Sequence, residues 1–574
     1  MNSEVMKKYN EWLESPYVEQ VDKDELKSLE GDLKEVEDRF YTDLSFGTGG
    51  MRGIRGVGSN RINKYTIRKA TQGLADYINE VADGDKNKKS AVIAHDCRIG
   101  SIEYALNAAQ VLAANGIKTY IFDSMRSTPE LSFAVRELKT QAGIVITASH
   151  NPQEYNGYKV YWNDGGQLVE PHASGVVNGV NNVTSFEMIR LMDEKTAREE
   201  GLIVTVGTEQ DDKFIEAVKK QALNIKIPGK NKFKIVYSPL HGTGGRPVLR
   251  VLKEMGFDSV YPVMEQLEGD GMFPTCPYAN PEDPAVFKLG IELAEKIGAD
   301  IAMANDPDAD RIGIACKDKN GQWHYPNGNQ MGLLLMNYIL ENRKNIPQNG
   351  AVISTIVSTP MLDAIAQDKG VKIFRTLTGF KFIGEKIREF ESGLLDGEYV
   401  FGFEESYGYL IGTHARDKDA VVSTMIIAEM AAYYNSIGTS ILEELGKLYE
   451  KYGWYREGIT AITKKGKEGM AEIIAIMEKL RGRKNSKELI GEKVAIFKDF
   501  KAGIEVDFRT GETKRIDLPV SDVIQFILAD NTYITARPSG TEPKMKYYYC
   551  VTADTEKASQ EKLEHVMKKF EETI

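Results

Sequence analysis

Gly143-Ile144-Val145-Ile146-Thr147-Ala148-Ser149-His150-Asn151-Pro152 reads as an apolar strand that ends in a hydroxyl beside an imidazole and breaks at Asn-Pro. An apolar run bounded by turn residues is a buried strand, and the break places Ser149 at its C-terminal tip, where open α/β sheets bind ligands. Neighbouring residues of an extended chain point opposite ways, and Ser-His-Asn also makes an ordinary turn. The stretch therefore gives a position, and the chemistry has to come from elsewhere in the chain.

Around it, strands at 90–96, 118–122 and 143–148 alternate with helical segments at 104–114 and 129–138, which implies a largely parallel sheet. The pattern resumes with strands at 233–237, 259–263 and 299–304, and again at 351–356, 372–375 and 399–403. This gives three α/β units in succession, without a fixed-period repeat. Residues 2–40 are dense in charge, with Leu26, Leu29, Leu33 and Val36 at helical spacing, and predict one or two surface helices. Near the end, strands at 532–536 and 546–552 flank an Arg-Pro-Ser-Gly-Thr loop, and 556–570 forms an amphipathic helix, so a smaller α+β domain is expected. The divisions expected are a helical extension at 1–40, α/β domains at 41–205, 206–324 and 325–455, and an α+β domain at 456–574.

With 574 residues the chain needs several cores. No apolar run approaches the roughly 18 residues of a membrane span, so a soluble protein is expected. A net charge of −11 argues against general nucleic-acid binding, and any phosphate site must be locally basic. Cys97, Cys276, Cys316 and Cys550 are scattered without Cys-x-x-Cys spacing, and the first residues hold no apolar signal core. A cytoplasmic protein with free thiols is the expectation.

Asp306, Asp308 and Asp310 follow the apolar segment 301–304; at i, i+2 and i+4 in extended backbone they share a face and can converge on one cation. Carboxylates favour Mg²⁺ or Ca²⁺ over zinc, and Arg311 and Lys317 stand where an EF-hand needs Gly and Glu. Arg311 directly after the acidic trio adds a guanidinium where a phosphate can sit. Solvated acidic turns look the same in isolation. Glu404, Glu405 and Ser406, between Gly402 and Gly408, offer carboxylates and a hydroxyl suited to vicinal sugar hydroxyls. Arg537, Ser539, Gly540 and Thr541 suit a nest for a dianion. The Gly-rich, basic stretch 46–56, which contains Arg52, lacks the Lys-Ser/Thr ending of a P-loop.

In this order and spacing, from about residue 40 to the end, the four loops resemble those of the α-D-phosphohexomutase superfamily, most of all its phosphoglucomutase branch. The resemblance implies three related α/β mixed-sheet domains and a C-terminal α+β domain of TATA-binding-protein-like fold around a central cleft. It implies phosphate carried on Ser149, one Mg²⁺ per chain held with Asp306, Asp308 and Asp310, and substrate contacts from Arg311, Glu404, Ser406, Arg537, Ser539, Gly540 and Thr541. His150, Lys159 and Lys418 take positions resembling the family's acid/base and phosphate-contacting residues, and Arg52 belongs with the charges that face the phosphate. Glucose 1,6-bisphosphate is then activator and intermediate, small sugar phosphates are the partners, and a monomer or weak dimer in the cytoplasm is expected. Pro307, where many members have Gly, fixes φ but removes no carboxylate. The stretch 238–244 resembles the longer glucomutase and phosphopentomutase subgroup, and Glu404-Glu405-Ser406 favours glucose phosphate. Phosphopentomutase, sugar-bisphosphate synthase, an aspartyl-phosphate enzyme using Asp306, and a sugar-phosphate sensor stand as alternatives.

Overall fold

The computed structural model describes residues 3–47, 49–464, 466–538 and 544–574, the side chains of 466–468 excepted. Four sheets follow one another along the chain. The first has six strands in the order Gly50–Ile54, Tyr155–Trp162, Ala142–Ile146, Ser90–His95, Lys118–Phe122 and Ile203–Val206. The second runs Trp323–His324, Ile312–Lys317, Ile301–Asn305, Ile235–Ser238 and Val260–Pro262; the third runs Lys372–Thr376, Gly350–Thr355, Glu398–Glu404 and Gly408–Ile411.

These three sheets share one device. Ala142–Ile146, Ile301–Asn305 and Glu398–Glu404 each pair in parallel on one side and antiparallel on the other. The antiparallel neighbour is in each case the strand that returns from the turn: Tyr155–Trp162, Ile312–Lys317 or Gly408–Ile411. The sheets are thus mixed where the alternation suggested largely parallel ones. The three returning strands escaped notice because no helix precedes them and short apolar runs after a turn carry no period of their own. The consequence for function is direct: the turns holding Ser149, the three aspartates and Glu405-Ser406 occupy equivalent places, each at the C-terminal end of a parallel strand.

The sequence pattern accounts for the supporting helices. Ser127 accepts the Glu130 N–H and Pro129 sits in the first turn, which starts the helix Thr128–Glu137. Asp419 accepts the N–H groups of Val421 and Val422 and starts Ala420–Ser436, a helix buried on nearly all sides within the largest apolar cluster. The N-terminal stretch forms three helices, Ser3–Glu14, Gln20–Ser28 and Leu33–Phe40. Val5, Tyr9, Trp12, Leu26, Val36 and Phe40 pack there with Val57 and Tyr65 of the first α/β unit, whereas Leu33, at the very start of its helix, is exposed.

The fourth sheet is antiparallel along the path Trp454–Thr463, Lys544–Ala553, Tyr533–Pro538, Ile524–Leu528, Glu492–Asp499, Ile504–Asp507 and Glu512–Arg515, backed by Glu556–Glu571. It touches the third unit where Gln525 Nε2 donates to the Ile356 carbonyl at 3.0 Å and where Val523 and Phe500 meet Leu377. Among the described residues no helix is long and apolar enough to cross a membrane.

Candidate active site

After Ile146 the chain turns on itself: Thr147 Oγ1 accepts the Ser149 N–H at 2.8 Å, and Ser149 takes φ 51°. A non-glycine residue in this left-handed region costs about 1–3 kcal/mol and persists only where its surroundings impose it. Ser149 is 2 % exposed, and its Oγ donates to Asp306 Oδ2 at 2.7 Å while His150 Nδ1 lies 3.2 Å from the same oxygen.

The aspartates converge through a compact turn, and not through the alternation of an extended strand as their spacing suggested. Asp306 Oδ1 accepts the N–H groups of Asp310 at 3.1 Å and Arg311 at 2.9 Å, and Ala309 adopts φ 52°. One oxygen from each of Asp306, Asp308 and Asp310 then lies within 4.8 Å of the others, all three residues being buried. Asp308 Oδ2 accepts from Lys159 Nζ at 2.8 Å and Thr128 Oγ1 at 2.9 Å; Asp310 Oδ2 is 3.2 Å from Lys418 Nζ and 3.6 Å from Lys159 Nζ. Asp308 Oδ1 and Asp310 Oδ1 are buried without a hydrogen-bond partner. Buried carboxylate oxygens left unpaired are costly, and an all-oxygen set of this kind fits a hard divalent cation.

The charges follow from burial and proximity. Burial, then the charges of Asp308 and Asp310, push the Asp306 carboxyl well above the usual carboxylate range. Burial pushes Asp308 up as well, but the adjacent Lys159 ammonium outweighs it and holds Asp308 low. Lys159 and Lys418 are raised: burial opposes their charge, but Asp308 and Asp310 around Lys159, and Asp310 and Asp417 around Lys418, win. His150 is depressed well below an ordinary imidazole by burial and by the cations Arg311 and Arg52, so it is neutral at neutral pH.

At the third turn, Glu404 is buried and its Oε1 accepts the Gly379 N–H at 2.7 Å. Glu405 Oε2 accepts the hydroxyls of Thr355 at 3.0 Å and Ser358 at 3.4 Å, and burial together with the Glu404 charge raises it to about 7. Gly408 lets Lys418 through, since a Cβ there would lie 2.0 Å from Lys418 Cδ. A cleft of about 680 Å³ opens beside these loops, with Arg52, Lys159, Gln167, Gly379 and Lys381 in its wall.

Residues 43–187, 212–321 and 327–452 match the family models described as phosphoglucomutase/phosphomannomutase, alpha/beta/alpha domains I, II and III. The chain belongs to the phosphoglucomutase/phosphomannomutase family. It is 37% identical over 531 residues to a phosphoglucomutase of Staphylococcus haemolyticus, covering 92% of this chain and 93% of that one. It superposes on a phosphoglucomutase/phosphomannomutase family protein of Burkholderia thailandensis with TM-score 0.65 at 19% identity, over 92% and 97% of the two chains. The phosphoglucomutase parafusin of Paramecium, in its open form, gives TM-score 0.67 at 18% identity over 92% and 95%. The three α/β domains with mixed sheets and the sheet-rich C-terminal domain are those of the α-D-phosphohexomutases, and the chain is a phosphohexomutase, an enzyme of the isomerase class.

In this phosphohexomutase the residues singled out by sequence fall into two groups. Ser149, His150, Lys159, Lys418, Asp306, Asp308 and Asp310 form one contiguous network. Arg52 lies exposed at its edge, with Nη1 donating to Asn151 Oδ1 at 2.9 Å. Arg311 is tied by Nη1 to Glu282 Oε1 at 2.6 Å, a partner that nothing in the sequence suggested. Ser406 is half-buried, and Arg537 is half-buried at the end of its strand; Ser539, Gly540 and Thr541 lie outside the described residues.

Two further residues escaped the sequence reading. Thr128 donates its hydroxyl to the Asp308 carboxylate and its N–H to the Asp308 backbone carbonyl, so the start of Thr128–Glu137 is tied to the aspartate turn. The Ser127-x-x-Glu130 cap pattern marks that helix start and was the available signal. Arg98, two residues past Asp96 at another strand tip, grips the Ser149 loop from behind.

Proposed function

We propose that this phosphohexomutase is a phosphoglucomutase, interconverting α-D-glucose 1-phosphate and glucose 6-phosphate through a phosphorylated Ser149. The supporting observation is the Ser149 Oγ at 2.7 Å from Asp306, beside two buried, unpaired aspartate oxygens and the ammonium groups of Lys159 and Lys418. Asp306 itself is a poor nucleophile here, because Oδ1 already takes two N–H groups and Oδ2 takes the serine hydroxyl.

Asp306, Asp308 and Asp310 would hold a hard divalent cation, Mg²⁺ by the family resemblance, which would supply neutralisation of charge on the group in transfer. Ser149 gives its phosphoryl group to the O6 hydroxyl of glucose 1-phosphate: the Oγ–P bond breaks, an O6–P bond forms, and the O6 proton ends on the freed Oγ. Glucose 1,6-bisphosphate then turns end for end, and the phosphoryl group on O1 returns to Oγ: the O1–P bond breaks, an Oγ–P bond forms, and the serine proton passes to O1. His150, neutral and 3.2 Å from Oγ, is placed to take the serine proton in that return step. Lys159 and Lys418 remain ammonium ions and offset the negative charge. Arg311 and Arg52 face the dianion, Glu404 and Ser406 bind sugar hydroxyls, and Arg537 with Ser539, Gly540 and Thr541 holds the phosphate that is not reacting. Glu404-Glu405-Ser406 favours glucose phosphate over the mannose-type and amino-sugar phosphates.

The test is turnover of glucose 1-phosphate and ribose 1-phosphate side by side, with Mg²⁺ and the matching bisphosphate. A kcat/KM at least ~10-fold higher for glucose 1-phosphate is expected. The reverse preference would make the protein a phosphopentomutase.

A further inference from the structure

Behind the Ser149 turn lies a cation that the reaction never touches. Arg98 is 2 % exposed and donates to four carbonyls of a single loop, those of Ser149 at 2.7 Å, Asn151 at 2.5 Å, Pro152 at 2.7 Å and Tyr155 at 2.9 Å. Its Nε stands 3.2 Å from Asp96 Oδ2, and Asp96 is in turn held by the Ser101 hydroxyl at 2.8 Å and the Arg98 N–H at 2.9 Å. Phe273, from the second α/β unit, covers the guanidinium plane at 5.1 Å.

Four carbonyl dipoles aimed at one point repel each other unless a cation gathers them. A guanidinium brings five N–H donors in a rigid fork, whereas an ammonium has three donors and no plane. Drawing these carbonyls to the rear fixes the backbone from Ser149 onward, while Thr147 Oγ1 holds the Ser149 N–H from the other side, and together they account for a serine held at φ 51°.

We propose that Arg98 is a positioning residue for phosphoryl transfer: it clamps the carbonyl side of the loop so that Ser149 Oγ stays aimed at the aspartate cluster, and Phe273 seats the clamp from the second unit. The catalytic consequence rests on the proposed role of Ser149; the clamp itself does not. Two full-length variants, Arg98→Lys and Phe273→Leu, test it by three readouts. These are the rate at which Ser149 gains phosphate from glucose 1,6-bisphosphate by intact mass, the split between kcat and KM, and deuterium uptake at 149–155.

Arg98→Lys should slow phosphorylation and kcat ~100-fold, as expected for roughly 1 Å of misplacement at a reacting atom. Its KM should stay within about threefold, because substrate binding is not what was removed. Phe273→Leu should slow phosphorylation about 5-fold, the loss of one stacked cation. Both should exchange faster at 149–155. Native rates and native exchange in folded Arg98→Lys overturn the proposal, and if that variant does not fold, the same result in Phe273→Leu does so. If the native protein takes no phosphate on Ser149, the mutase reading falls, and the clamp is judged on deuterium uptake, where unchanged protection in both variants refutes it.

Discussion

Ser149 and Asp306, 157 positions apart in the chain, are joined by a 2.7 Å hydrogen bond from Oγ to Oδ2. The bond spans two separate sheets, because the turn after Ala142–Ile146 and the turn after Ile301–Asn305 open at equivalent ends of equivalent strands. Ser149 and the three clustered aspartates therefore belong to one site, although no local stretch of chain contains both.

On the proposed mechanism, replacing Ser149 with alanine removes the atom that would carry the phosphate and little else. Ser149→Ala should abolish turnover, while calorimetry should find affinity for glucose 1-phosphate within about tenfold of native, since ground-state binding does not use that atom. Undiminished mutase activity would rule out the assignment.

Asp308 sits between Lys159 and Thr128 with its second oxygen unpaired. Asp308→Asn keeps the shape but loses the charge, so it should mainly lower kcat and raise the Mg²⁺ concentration needed for half-maximal rate. Removing Mg²⁺ by chelation should stop the native enzyme, and adding it back should restore it. A variant with native Mg²⁺ dependence would exclude Asp308 as a ligand.

Gly242 packs against the turn of the three aspartates so closely that a Cβ would lie 2.3 Å from Pro307 Cα and 2.5 Å from its carbonyl oxygen. The Thr243 N–H, donated to the same carbonyl at 2.8 Å, prevents easy relief. Gly242→Ala should cost about 1–3 kcal/mol of stability, the usual cost of overpacking, and should weaken Mg²⁺ binding as Pro307 shifts. Native melting and native metal affinity together would show that the contact is slack.

Glu405 gives a pH signature. Burial and the Glu404 charge raise its carboxyl to about 7 in the fold. The folded state therefore holds a proton that the unfolded state has already released, and the stability from this group is present at acid pH and fades as pH rises towards about 7. Glu405→Gln imitates the protonated form and keeps an acceptor for Thr355 and Ser358. Its melting temperature relative to native should climb between pH 5 and pH 7, as the linkage sign requires, and then level off. A difference independent of pH would show that Glu405 titrates normally.

The central strands of the three α/β sheets were legible because apolar runs ended by Gly, Pro or Asn report burial and turns locally. The same logic placed Ser149, Asp306 and Glu404 at strand tips. The returning strand Tyr155–Trp162 was not legible, although it carries Lys159; its pattern of Tyr, Lys, Val and Trp has meaning only beside Ala142–Ile146. Nor were the early helices fully legible, since the aromatic core of Tyr9, Trp12 and Phe40 forms only against Val57 and Tyr65.

The order of residues alone determined which side chains stand at the ends of strands, because hydrophobic period and turn chemistry act over a few positions. Which of those ends face one another, and which side chains lie behind them, was decided only by packing. Thr128 against Asp308, Glu282 against Arg311 and Arg98 beneath Ser149 are contacts made by sheet register and domain docking. Their partners lie 180, 29 and 51 positions away, where no local signal reaches.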